Sequence, residues 1–152
     1  MSAPSTEPAT RTEPAPAVPV RTVGVVGTGI MGSGIAEVLA VAGFDVVVRS
    51  RHETTAATTA MAVDKSLSRQ VSKGRLTEEA KLEILGRLTT TTELSDLAGC
   101  DLVIEAAPED LQLKQALFAE LGELLAPQAI LATNTSALSV IDLAVASGRP
   151  DR

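Results

Sequence analysis

The sequence predicts an α/β fold: a doubly wound, mainly parallel sheet with helices packed on its faces. Three observations lead there. "TVGVVG", "DVVVRS" and "DLVIEAA" are apolar without alternation, as strands buried on both faces are. Segments with apolar residues three and four apart lie between such runs. A glycine-rich turn joins the first strand to the first helix.

Each element follows in chain order. Residues 1–20 are rich in Pro, Ala, Thr and Ser and hold five of the eight prolines, so they read as a disordered tail. They lack the apolar centre of a signal peptide, and Glu7 and Glu13 speak against a transit peptide. Residues 21–152 read as one domain. Its first strand is Thr22–Gly27. A helix follows, with Ile35, Val38, Leu39 and Ala42 as its apolar face and Gly43 as its stop. Asp45–Ser50 is the second strand, closing a βαβ unit.

The next crossover is longer. Glu53–Lys73 is helical, with the stripe Ala60, Val63, Leu67 and Val71. Gly74 breaks it, and Thr77 is placed to cap a second helix carrying Ala80, Ile84 and Leu85. A helical hairpin is thus inserted in the fold. Leu88–Thr92 and Asp101–Ala107 are strands, and the helix after them carries Leu113, Leu117, Leu121 and Leu124. Ala129–Thr135 is another strand, and "LSVIDLAVAS" is a final helix.

Composition narrows the function. Net charge is −6, which disfavours nucleic acid or an anionic membrane as partner. Aromatics are 1%, so the core is aliphatic and base stacking has no platform. No apolar run reaches the length of a transmembrane helix. The single cysteine, Cys100, forms no internal disulfide and reads as a buried packing residue, which fits a cytoplasmic protein. No cluster of metal-ligating residues stands out.

Gly27, Gly29 and Gly32 spell G-x-G-x-x-G between a strand and a helix, the context that makes this a Rossmann fingerprint. Gly27 permits the tight turn, Gly29 lets a pyrophosphate approach the backbone, and Gly32 lets helix and strand pack closely. Ile30 and Met31 open the helix, whose N-terminus offers unpaired N–H groups to phosphate. Gly34 reads as a helix-packing residue. A carboxylate is expected where the second strand ends, to hold the ribose of NAD. Ser50 stands there instead, between Arg49 and Arg51. The arginines either neutralise a 2′-phosphate, which would admit NADP, or are solvated charges.

"VGVVGTGIMGSGIAEVLAVAG" resembles the N-terminal domain of the 3-hydroxyacyl-CoA dehydrogenases, including the bacterial 3-hydroxybutyryl-CoA dehydrogenases. "DLVIEAAPEDLQLKQALF", "ILATNTSALSV" and the helical hairpin match in the same order. The resemblance implies NAD as cofactor, an acyl-CoA substrate, a role in fatty acid or butanoate metabolism, and a homodimer for the full-length protein. It places Glu109 and Lys114 at the nicotinamide half and Asn134 beside the cofactor. It gives Ser136 a hydrogen bond to the substrate oxygen, and Ser66 and Lys73 contacts with CoA.

The residues leave alternatives. Glu109 and Lys114 could be solvated helix charges. Asn134 and Ser136 could cap the following helix. Lys73 could simply favour a helix C-terminus. The resemblance also implies a catalytic histidine in a later "HFFNP"-type segment and a C-terminal helical domain. The sequence ends at "SGRPDR", before both, so it reads as a truncated enzyme that is inactive alone. The only histidine, His52, follows the second strand and reads as a loop residue. A free-standing dinucleotide-binding module is the other reading. A different branch of β-hydroxyacid dehydrogenases fits less well, because of "TNTSAL".

Overall fold

The computed structural model describes residues 19–152. Most of the expected N-terminal tail lies outside the described residues. Five parallel strands form one sheet: β1 (Thr22–Val26), β2 (Asp45–Arg49), β3 (Leu88–Thr91), β4 (Leu102–Glu105) and β5 (Ile130–Thr133). Their order is β3-β2-β1-β4-β5. The order reverses at β1, so the carboxyl ends of β1 and β4 flank the crevice where such sheets bind ligands.

The valines of the central strands divide between two faces. Val25, Val46 and Val48 pack with Ala36, Ala40, Val63, Leu67 and Ile84. Val26 and Val103 pack with Leu97, Cys100, Leu121 and Leu125 on the other side. Strands buried on both faces need no polar alternation, which is why they read as continuous apolar runs.

Helix α1 (Ile30–Val41) differs from its expected packing. Its buried residues are Gly32, Ala36 and Ala40, with Ile35 and Leu39 packing at the edges. Val38 is 67% exposed, and Ala42 is the C-cap rather than a core residue. The helix lies so close to the sheet that only small side chains fit beneath it. Gly34 is exposed and nothing approaches it, so it has no packing role. Gly43, at φ +96°, ends the helix as expected, its N–H bonding Ala40 O while Phe44 N–H reaches Leu39 O.

Helices α2 (Glu53–Ser72) and α3 (Glu78–Gly86) form the hairpin, turning at Gly74 with φ +67°. The Thr77 hydroxyl accepts from Ala80 N–H at 3.2 Å, the expected cap. A short 3-10 turn at Leu94–Leu97, absent from the sequence reading, carries the buried Leu97. Helix α4 (Leu111–Leu124) buries Lys114, Phe118 and Leu121 most deeply, while the other expected leucines are half-buried. Helix α5 (Val140–Ala146) packs on α4 and is capped by Ser139. No helix of the described residues is long and apolar enough to cross a membrane.

One side chain, that of Asp101, pins the sheet from its N-terminal edge. Asp101 Oδ2 accepts from the N–H groups of Arg21 and Thr22 at 2.8 and 3.0 Å. The Thr22 and Arg21 amides hold its carboxyl below the usual range. Beside it, Cys100 is buried as expected, and burial, with the Asp101 charge, pushes its thiol up to about 11.

Candidate dinucleotide site

The glycine turn is built from three different constraints. Gly27 has φ +118°, and a Cβ there would stand 2.4 Å from Ala106 O. A Cβ on Gly32 would stand 2.1 Å from Gly27 O. The fold itself therefore excludes side chains at both positions. A Cβ on Gly29 would meet no protein atom within 4 Å, and its φ of −69° suits any residue. Packing does not require glycine at 29. Close approach of a ligand to the backbone would.

Helix α1 begins at that turn with no side-chain cap and no acidic residue in its first turn. The first N–H groups thus keep their partial positive charge for an anion. They open on a cavity of about 940 Å³ at the carboxyl ends of the strands. That is a volume suited to a cofactor, since such sites span roughly 300–1,000 Å³. Gly27, Gly29, Ile30 and Met31 line one side. Gly32 does not line it; it supports the turn from behind.

Ser50, Arg51 and His52 line the far end, with Leu94, Leu113 and Leu117 as an apolar wall. Ser50 is only 2% exposed, and its hydroxyl pairs with the Thr55 hydroxyl and receives the His52 N–H. The residue in the carboxylate slot is thus occupied in closing the turn into α2. Arg49 Nε donates to Thr92 O at 3.2 Å, which ties this arginine to the end of β3. Arg51 and His52 are exposed at the rim.

The inner end contains a charged cluster. Lys114 is 1% exposed, which removes the reading of it as a solvated charge. Its ammonium donates to Glu105 Oε1 at 2.7 Å and to Ala107 O at 3.1 Å. Glu105, fully buried at the end of β4, also accepts from Ala107 N–H and from the Thr133 hydroxyl. Glu105 is barely legible as a site residue in the sequence. Its only signal was a carboxylate closing an apolar strand, nine residues before a lysine on the next helix. Glu109 is half exposed and stands 3.8 Å from the Lys114 ammonium. It also accepts from the Thr135 hydroxyl at 2.8 Å.

Asn134 lines the cavity, its N–H bonded to Glu105 O. Ser136 is exposed in the following loop, outside the cavity lining. Neither caps α5; Ser139 does, by accepting from Asp142 N–H. Ser66 lies elsewhere, where its hydroxyl donates to Glu37 of α1 at 2.8 Å. Lys73 is exposed at the end of α2, away from the cavity lining. No group of three or more metal-ligating side chains comes together among the described residues.

A parallel sheet reversing at β1, with an uncapped helix rising from a glycine turn at that point, defines a Rossmann dinucleotide-binding domain. Known proteins agree. The chain belongs to the 3-hydroxyacyl-CoA dehydrogenase family, whose NAD-binding domain matches residues 22–152. The cofactor class is accordingly a nicotinamide dinucleotide.

Among curated relatives, a 3-hydroxybutyryl-CoA dehydrogenase of Bradyrhizobium diazoefficiens is 46% identical over 133 residues, covering 88% of this chain and 45% of that protein. One from Mycobacterium tuberculosis is 46% identical over 134 residues, covering 88% and 47%. The crystal structure of (S)-3-hydroxybutyryl-CoA dehydrogenase from Ralstonia eutropha superposes with a TM-score of 0.84 at 38% identity, covering 88% of this chain and 47% of that one. The chain thus spans less than half the length of these relatives.

Proposed function

We propose that these residues form the NAD-binding portion of an oxidoreductase that interconverts 3-hydroxyacyl-CoA and 3-oxoacyl-CoA, with 3-hydroxybutyryl-CoA as the substrate class. The observation that carries the reading is the turn at Gly27, Gly29 and Gly32 under an uncapped helix, opening on the 940 Å³ cavity. The names of the relatives support the substrate class.

The residues take these roles. The N–H groups at Gly29–Met31 receive the pyrophosphate. Ser50 and Arg51 border the adenosine ribose. Glu109, Lys114 and Asn134 border the nicotinamide half. Ser136 donates to the substrate oxygen. Lys73, exposed on α2, meets a CoA phosphate, and Ser66 contacts CoA by opening its bond to Glu37. NAD, when bound, supplies the hydride acceptor.

NAD is favoured over NADP by the family's NAD-binding domain, while Arg49, held at its Nε by Thr92 O, and Arg51 both line the far end of the cavity. A reducing, cytoplasmic setting fits the unpaired Cys100. Oxidation of a hydroxyl needs a base for its proton. The only histidine, His52, lines the cavity beside Ser50 and Arg51, the end assigned here to the ribose, so it is not placed to take that proton, and these 152 residues alone are read as inactive. A free-standing dinucleotide-binding module without catalysis is the other reading.

Calorimetric titration with NADH and NADPH in parallel tests the reading. NADH binding supports it; negligible heat with both dinucleotides overturns it. Steady oxidation of 3-hydroxybutyryl-CoA by the 152-residue chain would overturn the reading that it is inactive alone.

A further inference from the structure

Glu105 faces three structural units at once. Oε1 receives the Ala107 N–H and the Lys114 ammonium, and Oε2 receives the Thr133 hydroxyl at 2.6 Å. Ala107 is held from both ends, its N–H by the carboxylate and its C=O by the ammonium. The adjoining Ala106 carbonyl is the surface against which Gly27 packs, and Ala106 N–H bonds Val26 O at the end of β1. The clamp therefore sets the floor beneath the glycine turn.

The other carboxylate oxygen leads away from the turn. Thr133 ends β5, and its Oγ1 also receives the Thr135 N–H at 3.2 Å. Thr135 Oγ1 in turn receives the N–H groups of Ala137 and Leu138. Hydrogen bonds and adjoining peptide links thus run from Val26, the residue before the glycine turn, through Ala106, Ala107, Glu105 and Thr133 to the loop carrying Asn134 and Ser136.

Stability gives a poor account of such a cluster. A buried ion pair is often no better for stability than apolar residues of equal volume. What it adds is direction, because charged hydrogen bonds in a low-dielectric interior hold narrow geometries. Every buried side-chain nitrogen and oxygen among the described residues has a partner, so the cluster is complete.

We infer that Glu105, with Lys114 and Thr133, is a positioning cluster that couples the phosphate-binding turn to the 134–138 loop, so that dinucleotide bound at the turn orders the loop facing the substrate. The inference rests on the dinucleotide reading above. Glu105 and Thr133 act through the two loops rather than on the reacting atoms, while Lys114 also borders the cavity.

Amide hydrogen exchange with and without NADH tests the coupling. In the parent chain, NADH slows exchange both at Gly27–Gly32 and at Ala137 and Leu138. Thr133→Val cuts one link and leaves the turn intact. The variant keeps the protection at Gly27–Gly32 and loses about fivefold or more of it at Ala137 and Leu138, the scale of coupling within one hydrogen-bond network. Equal protection at both places in parent and variant overturns the inference.

The double variant Glu105→Gln with Lys114→Met gives a second readout. It removes both charges together, and it weakens NADH by about tenfold while melting near the parent temperature. Affinity within about twofold of the parent overturns the inference. If the double variant fails to fold, Thr133→Val alone decides. NADH that protects nothing in the parent would defeat the dinucleotide reading itself, a different result from protection that survives Thr133→Val.

Discussion

The Lys114 ammonium lies 2.7 Å from Glu105 Oε1, and neither side chain reaches solvent. Removing one partner leaves a buried charge without compensation. Lys114→Met alone is therefore expected to destabilise the chain by about 3–5 kcal/mol. The double change with Glu105→Gln should recover most of that loss. Urea unfolding of the parent, the single and the double variants measures it. A single variant as stable as the parent would mean that the pair is not buried as described.

The glycine turn separates folding from binding. Gly29→Ala should leave the unfolding midpoint unchanged and weaken NADH by about tenfold or more, since only the ligand approaches that Cβ position. Gly27→Ala combines a φ of +118° with a clash on Ala106 O, and should cost about 3 kcal/mol of stability. Titration calorimetry and chemical unfolding on the two variants give the comparison. A stability loss in Gly29→Ala equal to that in Gly27→Ala would defeat it.

Arg51 at the rim is the residue expected to distinguish the two dinucleotides. NADH should bind more tightly than NADPH. Arg51→Ala should weaken NADPH about fivefold to tenfold and NADH less than about twofold, because only a 2′-phosphate gives the guanidinium a charged partner. Parallel titrations of parent and variant measure this. A parent that prefers NADPH tenfold would reverse the NAD assignment.

Asp101 makes stability depend on pH in the acid range. Its carboxyl is lowered by the hydrogen bonds from Thr22 and Arg21. A lowered folded value means the folded state favours the ionised form. The contribution is complete above the ordinary value of about 3.9 and is lost as pH falls through the folded value. Asp101→Asn should therefore be less stable than the parent at pH 7, and the gap should narrow toward pH 3. A gap independent of pH would show that the carboxylate charge does not hold the start of β1.

Cys100 should resist alkylation in the native chain. Burial raises its thiol to about 11, so little thiolate is present at pH 8. Iodoacetamide should label it only after denaturant is added. Rapid native labelling would place the thiol at the surface.

Much of this molecule can be read from the chain. The five strands and the helical hairpin lie within a residue or two of their expected bounds, because period and glycine stops are local properties. The packing face of α1 could not be read that way. Val38 looks like a core residue by spacing, yet it is exposed, because the orientation of the helix is set by Gly32 against Gly27. The roles of Ser50 and Arg49 were equally hidden, since their partners Thr55 and Thr92 belong to other elements.

By itself the sequence determined the class of ligand: three glycines between an apolar strand and a helix specify a phosphate turn through backbone geometry alone. Only the tertiary structure decided that Gly27 and Gly32 are required by the fold, while no protein atom stands within 4 Å of a Cβ at Gly29. It also decided that Lys114 is a buried ion rather than a surface charge. The reason is physical. Dihedral preference and hydrophobic period act over a few residues, whereas burial and charge pairing depend on which distant segments the sheet brings together.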